Sequence, residues 1–323
     1  MLFSIIIIEE KVLYVNYLEL IDKIIRYRCQ PFFTEAVPRL MAICCSMIPP
    51  PIYSNWYNML NKMASTIINN HMYNELADSW WDENGPLHLL KAMVNPWRVP
   101  YFKDVLIQRF GTDLSLIRLL DIGCGGGVLA EEFARLGCQV TGIDIAEESL
   151  TVARAHARTQ GLLIDYQIGS ATQLPFDGSS FEVVSCCDVL EHIPEWEQVI
   201  VEVGRALKSG GLFLFDTINR TPKSKSTFIF GLQEWAYTKL FPRDTHVWEM
   251  FITPEELTTV LEKHGMQVKG LSGGAIARNP LSTLQEVRRY KRGEINVAEL
   301  GHRLELKLSD DLSLNYLGHA MSH

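Results

Sequence analysis

The segment Leu119-Leu120-Asp121-Ile122-Gly123-Cys124-Gly125-Gly126-Gly127 constrains this chain more than any other. An apolar run that breaks into glycines just ahead of an amphipathic stretch, Val128 to Leu136, marks a strand handing over to a helix. Glycine at such a junction lets the backbone approach a ligand closely. The strand is expected over Ile117 to Ile122, and from there the patterns alternate. Gln139 to Asp144, Ile164 to Ile168, Phe181 to Cys187 and Leu212 to Thr217 read as strands, with helices over Glu147 to Gln160 and Trp196 to Leu207. Pro254 to His264 reads as a further helix with Thr253 as its cap and Gly265 as its stop. Gln267 to Leu271 and Leu312 to Met321 close the series as strands. The expectation is an α/β fold, a Rossmann-like seven-stranded sheet with helices on both faces.

The spacing Asp-x-Gly-x-Gly-x-Gly differs from the dinucleotide fingerprint G-x-G-x-x-G. Asp121 is also a poor neighbour for a pyrophosphate but a good one for a ligand's ammonium group, which points away from a nicotinamide cofactor. Asp144 ends the second strand, where a carboxylate can accept hydrogen bonds from both ribose hydroxyls; a helix N-cap is the alternative role. Gly169 to Phe176 follows the third strand, at the edge where an adenine ring would sit. A lone glycine loop is as readily a tight turn, but the three pieces together resemble the class I methyltransferases that use S-adenosylmethionine. On that reading Asp121 and the backbone at Gly123 and Gly125 hold the amino-acid end of the cofactor. Ile145, beside Asp144, and Ala171, after the third strand, complete the cofactor-contacting positions.

A narrower resemblance surrounds this core. Tyr73 to Trp81, Asn95-Pro96-Trp97-Arg98, Leu190-Glu191-His192, Thr217 to Ser224, and Thr245-His246 with Phe251-Ile252 resemble the ubiquinone-biosynthesis O-methyltransferase family, over about Met72 to Gly274. The resemblance implies methyl transfer from S-adenosylmethionine to a phenolic hydroxyl of a polyprenylated catechol or quinone precursor. It places cofactor contacts at Arg98, Gly123, Asp144 and Cys187, the last being a methionine in most of the family. Arg98 is suited to the cofactor's carboxylate, or to local helix carbonyls.

Asp188, Glu191 and His192 stand at positions i, i+3 and i+4, so a helical turn would project them to one side. They have the donor types of a divalent-cation site, such as Mg²⁺, which the resemblance implies with Asp188 in place of a glutamate. They also have those of a group that orients the substrate without a metal. The chemistry needs alignment of a methyl sulfonium with an acceptor oxygen, and removal of a phenolic proton. His192 with Glu191, and more weakly His246, are the candidates for that proton.

Composition limits the remaining alternatives. The 323 residues are 47% hydrophobic, enough for a large core, and the net charge of −8 opposes nucleic-acid binding, leaving a small-molecule partner. Seven cysteines, an odd number without a C-x-x-C spacing, imply neither a disulfide framework nor a zinc knuckle, and a cytoplasmic setting is expected. The apolar run Leu2 to Ile8 is far short of the roughly 20 residues of a membrane span. Residues 1–62 carry no motif and read as an extension of unknown role, with Met63 or Met72 as the alternative start of translation. Residues 63–111, aromatic and proline-broken at Pro86, Pro96 and Pro100, read as a helical lid before a methyltransferase domain over 112–323. Two insertions are expected in that domain. Residues 220–251 interleave Lys223, Lys225, Lys239 and Arg243 with aromatic side chains, a composition suited to peripheral contact with a membrane surface or to packing on the core. Residues 275–311 are long enough for substrate-facing elements. Two competing functions remain, a methyltransferase for another small-molecule acceptor and a non-catalytic S-adenosylmethionine-binding protein.

Overall fold

The computed structural model describes residues 70–323. The expected extension over 1–62 lies outside the described residues. Five parallel strands form the first half of the sheet: β1 (Arg118–Ile122), β2 (Gln139–Asp144), β3 (Ile164–Ile168), β4 (Phe181–Cys187) and β5 (Leu207–Ile218). β6 (Met266–Ile276), β7 (Leu306–Ser309) and β8 (Asn315–Ser322) add antiparallel pairings, giving the order β3-β2-β1-β4-β5-β8-β6-β7. The topology reverses between β1 and β4, and ligands of open α/β sheets bind outside the strand carboxyl ends at such a point.

Both faces of the sheet are covered. Leu120, Val184, Cys186, Phe213 and Phe215 pack in one core, whereas Leu119, Val183, Cys187, Leu212 and Leu214 pack in the other. Consecutive apolar residues therefore serve opposite faces, the reason the strands read as continuous apolar runs. The second core is closed by α1 (Asn95–Phe110), α2 (Ala130–Arg135) and α3 (Glu147–Thr159), the first by α4 (Trp196–Ala206) and α5 (Pro254–Lys263). Thr253 and Glu256 form a reciprocal capping box at the start of α5.

The structure departs from the sequence reading in two places. α1 runs through Pro100 instead of breaking there; Pro96 occupies its first turn, where no backbone N–H is needed. The sheet has an eighth strand, because β6 continues past Leu271 and its far end, Gly273 to Ile276, pairs with β7.

The insertion that carries β7 also holds α6 (Pro280–Lys291) and α7 (Val297–Leu304). Val287, Ile295, Leu300 and Leu304 form a small core there with Met93, from the segment preceding α1, and with Leu240. Gly301 of α7 rests on Ala92 so closely that a Cβ would lie 2.7 Å from the alanine methyl.

Candidate active site

The glycine loop turns from β1 into α2 with Gly123 at φ +68° and Gly125 at φ +50°, conformations that side chains other than glycine rarely adopt. The segment before α1 lies directly on this loop. The Trp80 ring sits over Gly125 and Gly126, leaving no room for a Cβ on either. Trp80 Nε1 donates to Ser149 Oγ at 2.9 Å, and Ser149 Oγ donates to the Tyr73 carbonyl at 2.7 Å. Trp81 Nε1 donates to the Gly126 carbonyl at 2.8 Å, and its ring stacks on His156 with centroids 3.4 Å apart.

Asp144 joins the loop to the next helix. Its Oδ2 accepts from the Gly125 N–H and its Oδ1 from the Ala146 N–H, both at 2.8 Å. Burial raises its pKa while these backbone donors oppose the rise. Asp144 is not the N-cap of α3, a position held by Ala146; its carboxylate instead ties the backbone N–H of that residue to the glycine loop. Ile145 beside it is exposed and lines an open cavity of about 510 Å³ with His71, Asn74, Glu75, Glu147 and Glu148. Ala171 is buried in the turn that Gln173 N–H closes onto the Ser170 carbonyl. Asp121 accepts from Ser185 Oγ at 2.6 Å, and burial pushes its pKa up to about 6.

Arg98 is buried at the carboxyl ends of β4 and β5. Its Nε donates to Asn95 Oδ1 at 2.9 Å, and its Nη1 to Asp188 Oδ2 at 2.6 Å and Asp216 Oδ2 at 2.9 Å. Burial disfavours the guanidinium charge, but Asp216 and Asp188 outweigh burial and raise the pKa. Asp216 Oδ1 also accepts the Asp188 N–H at 2.8 Å, at a residue whose φ of +54° is unusual outside glycine. Cys187, the preceding residue, is buried, and burial raises its thiol pKa.

The turn after β4 is a 3₁₀ helix, Leu190–His192. It does not present Asp188, Glu191 and His192 as one donor set. Asp188 is turned onto Arg98 instead, and Glu191 Oε2 accepts from Thr217 Oγ1 at 2.8 Å. Among the described residues no three His, Cys, Asp or Glu side chains are grouped to hold a metal ion. The divalent-cation reading of the trio therefore does not fit the side chains as they are arranged.

The structure does bring together His192 and His246. Their ring centroids lie 5.3 Å apart, and Phe228, Phe241 and Phe251 flank His246. Tyr73 meets His192 edge to face, its hydroxyl 3.4 Å from Nε2. Burial drives the His192 pKa down to about 4; burial and then His192 hold that of His246 well below its ordinary value. Burial, reinforced by Asp188, raises that of Glu191. Glu191 Oε1, His192 Nδ1 and His246 Nδ1 are buried without a hydrogen-bond partner among the described residues. Such atoms are costly unless a ligand satisfies them.

Sequence reasoning missed Asp216, Thr217, Tyr73 and Trp80 as parts of this site. The available signal for Asp216 was a carboxylate directly after the apolar run Leu212 to Phe215, at a strand's carboxyl end.

Residues 120–215 match the family described as a methyltransferase domain. The chain is 42% identical over 203 residues to a ubiquinone biosynthesis O-methyltransferase of Ruegeria sp. (strain TM1040), covering 60% of this chain and 80% of that protein. It is 40% identical over 235 residues to the protein of the same description from Nitrosococcus oceani, covering 71% and 92% respectively. The protein so described from Roseobacter denitrificans is 40% identical over 219 residues, covering 65% of this chain and 85% of its own. At this level of identity over 80% or more of each relative, the chain belongs to the ubiquinone biosynthesis O-methyltransferase family.

Proposed function

We propose that this protein transfers the methyl group of S-adenosylmethionine to a phenolic hydroxyl of a prenylated catechol or quinone precursor in ubiquinone biosynthesis. The observation that carries this reading is the buried group of Glu191, His192 and His246, with three polar atoms that lack a partner among the described residues, beside aromatic rings at the carboxyl end of the sheet. The chain's residues fit the cofactor. Asp144 is a buried strand-end carboxylate beside a glycine cradle, and a Cβ at Gly123 would fill the space against Val189. Asp144 would hold the ribose, Ile145 and Ala171 the adenine side, and Asp121, Gly123, Gly125, Arg98 and Cys187 the amino-acid end. When bound, S-adenosylmethionine supplies an electrophilic methyl on a good leaving group, so the protein's task is alignment and deprotonation.

His192 does the second part. With its pKa lowered by burial to about 4, its imidazole is neutral near pH 7. In the tautomer whose Nε2–H points to the Tyr73 hydroxyl, Nδ1 carries the free lone pair that accepts the phenolic proton. His246, similarly neutral, and Glu191 Oε1 orient the acceptor's oxygens. The phenylalanines around His246 offer the aromatic ring an apolar wall.

The 220–251 segment supports peripheral membrane contact. Phe230, Trp235 and Tyr237 are exposed there, with Lys239 and Arg243 nearby in sequence, rings for the acyl boundary and cations for head groups. No helix among the described residues is long and apolar enough to cross a membrane. Transfer of labelled methyl from S-adenosylmethionine to a short-chain prenylated catechol tests the proposal. Product formation is expected; cofactor binding without transfer to any catechol would refute the acceptor class.

A further inference from the structure

Three of the five guanidinium protons of Arg98 are taken: one by Asn95 and, at Nη1, one each by Asp188 and Asp216. Among the described residues no acceptor takes the two Nη2 protons. A planar guanidinium held at Nε and Nη1 cannot rotate, so its remaining edge is presented in one direction. Of the clamping groups, Asp188 is about a third exposed and Asp216 is buried at 3% side-chain exposure. Asp216 therefore anchors the arrangement. It also fixes the Asp188 backbone through the Asp188 N–H, because the pairing Cys187↔Asp216 brings the two strand ends level.

We propose that Asp216 is a positioning residue for the methyl donor: it holds Arg98 so that Nη2 meets the cofactor's carboxylate. The inference rests on the reading of Arg98 as the carboxylate ligand. Asp216 acts through Arg98 and touches neither reactant. The two carboxyl groups on Nη1 offset the guanidinium charge at this corner, which favours an amino-acid zwitterion over a simple anion, since the ligand's ammonium can meet Asp188, the more exposed of the two, while its carboxylate meets Nη2.

The test is a kinetic and calorimetric comparison of Asp216→Asn, Arg98→Met and the pair Arg98→Met with Asp216→Leu. Asp216→Asn is expected to raise the KM for S-adenosylmethionine about tenfold, with kcat at saturating donor changed less than about threefold, because hydrogen bonds to charged groups are lost only in the binding step. The pair leaves no uncompensated buried charge and is expected to fold and to bind no more weakly than Arg98→Met alone. Unchanged KM in Asp216→Asn, or a further loss of affinity in the pair beyond Arg98→Met, overturns the positioning role. If Arg98→Met itself binds the donor normally, the carboxylate-ligand reading fails first and the inference with it.

Discussion

His192 and His246, from the turn after β4 and the loop ahead of α5, face each other with ring centroids 5.3 Å apart and planes 41° apart. Neither finds a partner for Nδ1 among the described residues. Under the proposed function, two neutral imidazoles facing each other suit an acceptor carrying adjacent hydroxyls, one for each ring.

Replacing His192 with alanine is expected to lower kcat by about 10²- to 10⁴-fold, the ordinary contribution of a general base, with donor affinity unchanged in calorimetry. A variant that binds donor normally and turns over at the parent rate would remove His192 from the chemistry.

Asp144→Ala should weaken donor binding and also loosen the fold locally. The carboxylate holds the Gly125 and Ala146 N–H groups, so thermal denaturation should show a loss of about 1–3 kcal/mol, as for backbone donors deprived of their acceptor. Donor affinity falling with no change in stability would mean that the two backbone bonds contribute nothing.

Trp80→Ala removes the indole that covers Gly125 and Gly126. A buried tryptophan truncation costs about 3–5 kcal/mol, and the exposed loop should bind donor less tightly. A milder variant, Ser149→Ala, withdraws the acceptor of the Nε1 proton and the donor to the Tyr73 carbonyl and should lower stability by about 1–3 kcal/mol. Equal stability of Ser149→Ala and the parent in urea denaturation would dispose of the role of these two bonds.

Asp121 gives the fold a defined pH dependence. Burial lifts its folded pKa from the ordinary 3.8 to about 6, so between these values the folded protein keeps a proton that the unfolded chain has released. The stability this carboxyl contributes is complete below the lower value and is lost as pH rises through the upper one. Going from pH 4 to pH 7, the parent should lose up to about 3 kcal/mol relative to Asp121→Asn. Parallel pH profiles for the two proteins in urea titrations would contradict it.

The sequence by itself determined the parallel half of the sheet, the glycine turn, and the placement of Asp121 and Asp144 at strand ends. These depend on local periodicity and on glycine's backbone freedom, both carried by neighbouring residues. It also marked Arg98 as a cofactor contact through family likeness, and Glu191, His192 and His246 as candidates for the phenolic proton through their residue types. The tertiary structure alone decided what these groups face. Whether Asp188 points to a metal or to Arg98 depends on the Cys187↔Asp216 register, which levels the ends of β4 and β5, and on where α1 crosses them. The eighth strand likewise depends on a partner distant in the chain, since Gly273 to Ile276 form a strand end only because Leu306 to Ser309 pair with it. Long-range pairing of this kind leaves no local signature, because each segment's own pattern is compatible with several partners.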